Sequence, residues 1–231
     1  LARQPAILKR FSMRALVILL PVLLATGTLW SASTGLDLAP VKEWIANQSK
    51  IKTIAADFVQ TRSLRTLRSP LTAKGKFWFR APGDFRWQIG DPPKTIVLGH
   101  EQSVYMIQPA RKTADRSPAD VAGAGSFDMM SFPMAASFAE FERRFEISSV
   151  QANGALCRIE GLPRDARARR LLAKIVLEVD PSSGQLHAFE AVTREGSSLR
   201  SEFQNVVVNG KLAPGLFDYD FTGYRVTDAK P

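Results

Sequence analysis

Residues 75–98, GKFWFRAPGDFRWQIGDPPKTIVL, decide the fold. Residues 74–80 alternate, with Phe77 and Phe79 on one face and Lys76, Trp78 and Arg80 on the other. Ala81-Pro82-Gly83-Asp84 is a turn, because proline presets φ and glycine accepts positive φ. Phe85, Trp87 and Ile89 then share a face opposite Arg86 and Gln88, and Gly90-Asp91-Pro92-Pro93 breaks that strand before a third begins at Thr95. Three short strands joined by proline-marked turns predict an antiparallel sheet. Trp78 breaks the simple pattern, since a half-buried strand is apolar on one face only. Either it packs under a helix or loop, or its face lines an apolar cavity for a greasy ligand.

Outward from this stretch the signals repeat. Val41, Trp44, Ile45 and Gln48 fall on one face of a helix over residues 38–54, with Asp37 as a candidate cap and Pro40 in its first turn. A strand starts near Ala55, and the basic segment 62–69 reads as its end plus a hairpin loop. SVYMIQ, residues 103–108, is another strand, followed by a long polar connection over 109–125. SFDMMSFPMAASFAEFERRF, residues 126–145, concentrates methionine and phenylalanine, with a helix over 135–144. Methionine adapts to irregular apolar shapes, so this segment is either core filler or a lid over a cavity. Asn153-Gly154, Gly184, Glu195-Gly196 and Asn209-Gly210 then punctuate further strands, ending with 217–221 and 224–226. Nothing marks a second domain. The expected architecture is one large antiparallel sheet, curved or partly closed, with helices on one face.

The first 33 residues read as a leader. Met13-Arg14 precedes the apolar run ALVILLPVLLATGTLW and the small residues Ser31-Ala32-Ser33, the pattern of a secretory signal cleaved after Ser33, with translation starting at Met13. Residues 34–231 form a single domain. The chain carries a net +9; residues 1–33 hold four of its basic residues and no acid, which leaves +5 on the rest. That balance is only moderately basic and does not indicate nucleic acid. Cys157 is the sole cysteine, so no internal disulfide forms, and secretion without one suits a bacterial periplasm.

Catalytic signatures are missing. His100-Glu101 begins like a zinc-binding HExxH, but Val104 stands where the second histidine is needed. His187 stands alone in a strand, and no nucleophile elbow, P-loop, dinucleotide fingerprint or CxxC occurs. An enzyme is not expected, and neither a metal nor a cofactor. Arg164, Arg167, Arg169, Arg170 and Lys174 are the densest basic run; a solvated loop is the default, and docking to an acidic partner or anionic headgroups the alternative.

Taken in order, Phe58 with Gln60, Gly75 with Trp78 and Pro82, Phe85 with Trp87, Pro92 before Ile96-Val97, residues 186–189 after Asp180 and Gly184, and Ser201 with Phe203 leading to Asn209 resemble the LolA family of periplasmic outer-membrane lipoprotein carriers. The resemblance spans about residues 38–228. It implies an open antiparallel half-barrel with a helical lid on its concave face. It also implies acylated lipoprotein or other lipid cargo, an inner-membrane releasing transporter, an outer-membrane acceptor and a monomeric carrier in the periplasm. Alternatives are a carrier of another lipid or aryl-polyene product, and a non-carrier sensor or scaffold on the same half-barrel. The cavity set expected is Trp44, Phe77, Trp78, Phe79, Phe85, Trp87, Met129, Met130, Phe132, Met134 and Phe138. In the family an arginine precedes the turn proline and bonds to lid carbonyls. Here that residue is Ala81, and Arg80 and Arg86 are the candidates to replace it. A one-residue step sends a side chain to the opposite face, so Arg80 is not expected to reach the lid.

Overall fold

The computed structural model describes residues 35–118 and 137–228. Helix α1 is Ala39–Gln48, α2 is Phe138–Arg144 and α3 is the short turn Ala168–Leu171. The strands are β1 Thr53–Ser63, β2 Leu71–Arg80, β3 Asp84–Ile89, β4 Thr95–His100, β5 Ser103–Gln108, β6 Thr113–Pro118, β7 Phe145–Asn153, β8 Leu156–Pro163, β9 Leu172–Asp180, β10 Gln185–Thr193, β11 Ser198–Val208 and β12 Arg225–Asp228. They form one curved, open sheet in the order β12-β6-β5-β4-β3-β2-β1-β11-β10-β9-β8-β7. Two meanders, β1–β6 and β7–β11, are joined where β1 pairs with β11. The expected half-barrel is therefore present.

Bulges help to bend it. β11 carries an extra residue opposite the step from Ala55 to Asp57, and Asn205 there takes a left-handed φ of 51° while its side-chain amide donates to Asp57. His187 in β10 and Ser148 in β7 are the extra residues of two further bulges.

The inner face is the one on which α1 and α2 pack. Cross-strand neighbours share a face, so Phe58, opposite Phe203, and Gln60, opposite Ser201, place both apolar clusters of this face together. One cluster holds Trp44, Phe141, Ile159, Ile175, Leu177 and Phe189; the other holds Phe58, Phe77, Phe79, Trp87, Val97 and Val104. Ser137 caps α2, its hydroxyl accepting from the Glu140 amide, which with Glu140 at the third helical position is a capping-box sequence. Trp44 is fully buried; its indole N–H donates to the Gly184 carbonyl (3.1 Å), and Asn47 donates to the carbonyls of Pro181 and Ser182. Gly184 has φ +74°, and a Cβ there would collide with the α1 backbone at Asn47 and Gln48, so this clamp requires glycine.

The outer face has two characters. Over β3–β6 it is apolar: Ile96, Leu98, Ile107 and Ala114 are buried beneath Phe217, with Leu212, Leu216, Tyr219, Phe221 and Tyr224 packed alongside. Over β8–β11 it is a ladder of charge: Lys174–Glu160 (2.8 Å), Arg158–Glu160 (3.2 Å), Arg158–Glu178 (3.5 Å), Arg200–Glu178 (2.9 Å) and Arg200–Glu202 (3.0 Å).

Four local expectations need correction. The polar connection over 109–125 contains β6, which pairs with β5 and buries Ala114 after a 3-10 turn at Pro109–Arg111. Residues 217–221 are no strand; they belong to an irregular strap laid over the outer face. β12 joins β6 in parallel, a departure from the otherwise antiparallel pairing of the described strands. The first helix also stops at Gln48, and β1 begins at Thr53.

Candidate functional site: an aromatic box on the inner face

Phe58, Phe77, Trp87 and Phe203 form a box. Phe58 stacks on Trp87 with centroids 4.1 Å apart and planes 30° from parallel. Phe203 meets Trp87 edge-on at 5.8 Å, and Phe77 lies 5.5 Å from Trp87 and 6.1 Å from Phe203. These are the spacings at which aromatic quadrupoles attract. Gly75 makes room for the Phe58 ring of the box, and Gly99 does the same for Phe85 in the same cluster. Gly75 faces Phe58 across β1 and β2, and Gly99 faces Phe85 across β3 and β4. A Cβ at either position would run into the ring opposite, so each ring lies on bare backbone.

Trp87 is 3 % exposed, and among the described residues its indole N–H has no hydrogen-bond partner. A buried tryptophan normally finds one, because an unmade bond of this kind costs about 1–3 kcal/mol. Beside the box an apolar crevice is lined by Ile51, Ile54, Ala56, Phe77, Leu186, Phe203, Val206 and Val208, with Gln48, Gly184 and Gln185 at its edge. It encloses about 30 Å³, room for a water or two.

The expected cavity residues divide. Phe77, Phe79, Phe85 and Trp87 come together on the inner face with Ala81 packed against them. Trp44 and Phe138 belong to the neighbouring cluster under the helices, where Trp44 meets Phe141 edge-on and Lys42 sits over the Phe138 ring. Trp78 is a correction: it pairs with Arg86 on the outer face and packs with the strap, because alternation along β2 sets it opposite Phe77 and Phe79. Met129, Met130, Phe132 and Met134 lie outside the described residues. Phe58 and Phe203 were missed as box members, although the alternation Ala56-Phe58-Gln60 and Ser201-Phe203 carried the signal.

Both candidate arginines are outer-face residues: Arg80 falls on the face that the one-residue step predicts, and Arg86 is corrected as a candidate to reach the lid. Arg80 pairs with Asp84 (2.7 Å), and its guanidinium lies over the Phe217 ring at 4.7 Å. Arg86 donates from Nη1 to the Leu216 carbonyl (3.2 Å) and from Nη2 to Gln88 (3.4 Å), while its Nε has no partner among the described residues. Burial pulls its pKa below the ordinary arginine range. Asp84 also bonds to His100, and although burial works against the charge, these partners hold its carboxyl below the usual range.

Catalytic chemistry finds no support at the box, which carries no titratable side chain among its four rings. Among the described residues no cluster of histidine, cysteine, aspartate and glutamate has metal-binding geometry. Cys157 is buried in the inner-face core, and burial pushes its thiol up, away from thiolate reactivity. No helix among them is long and apolar enough to cross a membrane.

Residues 49–220 match the sequence profile described as "Outer membrane lipoprotein carrier protein LolA". An outer-membrane lipoprotein carrier protein of Nitrosospira multiformis is 26 % identical over 172 residues, covering 73 % of this chain and 78 % of that one. A protein of the same description from Bordetella avium is 25 % identical over 174 residues, covering 74 % and 78 %. Among solved structures, an uncharacterized conserved protein from Thermus thermophilus superposes with a TM-score of 0.51 at 10 % identity, covering 82 % of this chain and 97 % of that chain. That last likeness is one of fold.

Proposed function

The chain belongs to the LolA family of outer membrane lipoprotein carrier proteins, and we propose that it holds lipoprotein acyl chains against the aromatic box in the periplasm and passes them towards the outer membrane. The observation that carries this reading is the box itself: four packed rings on the helix-covered face of an open sheet, next to an apolar crevice. Each methylene removed from water is worth about 0.8 kcal/mol, so an acyl anchor crosses an aqueous space only inside an apolar container. Such a container must also open. Trp87 is held by stacking without a hydrogen bond at its nitrogen, so shifting it breaks no polar contact. A transporter in the inner membrane loads the carrier, an acceptor at the outer membrane empties it, and the carrier works as a monomer without a cofactor and without catalysis.

Ala81 favours a second reading of the cargo. It packs against the box cluster, whereas Arg80 and Arg86 are committed to the outer face. No arginine from this hairpin stands ready to latch a lid over the inner face, which suits a cargo other than standard lipoproteins, such as a free lipid or an aryl-polyene product.

Native mass spectrometry of the protein purified from its own periplasm separates the readings. Bound triacylated polypeptide is the expected result. A bound free lipid or pigment selects the second reading, and consistently empty protein points to a sensor or scaffold.

A further inference from the structure

Three connections meet at one end of the sheet. The β1–β2 hairpin brings Arg62, Arg65 and Arg68, with Leu67 and Leu71. The β8–β9 connection brings Arg164, Arg167, Arg169 and Arg170, with Leu171. The β10–β11 turn joins them: the Arg65 amide donates to the Ser197 hydroxyl (3.4 Å), the Arg194 amide to the Leu171 carbonyl (3.1 Å), and the Arg194 side chain to the Arg169 carbonyl. All eight arginines are exposed, and among the described residues none of them forms an ion pair. Asp165 is spent locally, accepting from the Arg167 and Ala168 amides.

The charge is unevenly placed. Residues 62–70 carry +3 with no acid, and residues 164–170 carry +3 after Asp165 is counted, while residues 34–231 total +5. The fold outside these two segments is thus slightly negative. A carrier of neutral overall surface has no need of this asymmetry, which gives the molecule a positive end and fixes how it meets a negative plane. The arginines do not stand alone. Leu67 is 45 % exposed, Leu71 53 % and Leu171 63 %, each projecting beside arginines rather than joining one apolar groove.

We infer that this arginine-rich rim is a docking edge for a membrane surface bearing anionic phospholipid headgroups. Arginine forks pair with phosphate, and isolated leucines between them enter the boundary between headgroups and acyl chains. An acidic protein would use the same arginines but has no evident use for leucines scattered at loop tips. The inference does not depend on which cargo the box holds, because the empty protein is expected to dock.

The test is sedimentation of residues 34–231, which contain the whole sheet and its core, with vesicles of phosphatidylcholine with and without phosphatidylglycerol. Binding is expected only with phosphatidylglycerol and weakens as salt is raised. The triple variant Arg65→Ser/Arg167→Ser/Arg170→Ser loses about a hundred-fold in affinity, at about five-fold per arginine. Removing an equal charge elsewhere, in Lys50→Ser/Lys52→Ser/Lys211→Ser, leaves most of the binding. Leu67→Ser/Leu171→Ser, whose side chains are exposed and whose fold is safe, weakens it several-fold. No binding to anionic vesicles overturns the inference, and so does equal loss in the lysine variant. Binding to polyglutamate as tight as to vesicles, with the leucine variant unaffected, also overturns it in favour of an acidic protein partner. If the arginine variant fails to fold, the leucine and lysine variants still decide.

Discussion

Trp78 and Trp87 stand in the two strands of one hairpin, yet they do opposite work. Trp87 points inward, is 3 % exposed, and is held by the rings of Phe58, Phe77 and Phe203 with its nitrogen unbonded. Trp78 points outward and is half-buried with a strap of irregular chain that Arg86 fastens through the Leu216 carbonyl. The box on the inner face is joined by dispersion and ring contacts, which can rearrange around a guest. The outer face adds directional bonds to its apolar contacts: Arg80 over Phe217, Arg86 to Leu216, and Tyr219 to Tyr224 at 2.7 Å. One sheet thus has a face suited to change and a face suited to stay fixed.

The sharpest way to break this comparison is to truncate on each side in turn. Trp87→Ala should cost about 3–5 kcal/mol of stability, as buried aromatic truncations do. It should also abolish binding of an apolar fluorescent probe that acylated peptide displaces. Phe217→Ala, on the strap, should cost a similar or slightly smaller amount, yet leave probe affinity unchanged in the folded protein. Urea unfolding and probe titration of both variants check this. Equal loss of probe binding in the strap variant would mean that the two faces are not separate.

Away from the strap the outer face is held by charge, and its contribution is smaller. Glu178 accepts from both Arg200 amino groups and from Arg158, and these bonds hold its carboxyl below the ordinary 4.5. A depressed carboxylate gives stability that is present above the unfolded pKa and lost as pH falls through the folded one. Glu178→Gln should therefore cost roughly 1–2 kcal/mol at pH 7, between an exposed pair and a buried charge-assisted bond. The gap from the unmodified protein should close as pH falls below about 4.5. Urea midpoints of both proteins across that range show it; a gap that persists into acid would put the cost down to packing.

How much of this was readable beforehand varies by element. The alternation Phe77-Trp78-Phe79-Arg80 told which side chains oppose which, and the turns at Pro82 and at Asp91-Pro92-Pro93 set the meander. It could not tell what lay over each face. Trp78 looked like a cavity residue because its cover, residues 212–224, is far away in sequence and has no strand or helix period. Nor did TADRS advertise β6, since it lacks β-branched alternation at its centre and takes its order from pairing with β5. Phe58 and Phe203 were each visible as inward residues of a strand. That they close a box with Trp87 follows from the pairing of β1 with β11, which joins the two meanders and which no local pattern encodes.

The smallest expected effect concerns the strap's own fastening. Tyr219 and Tyr224 share a short hydroxyl–hydroxyl bond, and burial together with that bond pushes Tyr219 from 10.0 up to about 12. A group whose folded pKa is raised gives stability that is complete below its unfolded pKa and fades as pH rises through the folded value. Nearby Arg86 opposes the shift but does not outweigh it. Tyr219→Phe removes the hydroxyl and keeps the ring against Phe221, so at pH 8 it should cost only about 0.5–1.5 kcal/mol. Between pH 10 and about 12 the unmodified protein should lose that advantage and converge on the variant. Paired urea titrations at pH 8 and at successive steps above pH 10 read the convergence directly. A gap that persists into strong alkali would put the cost of the variant down to packing rather than to the hydroxyl pair.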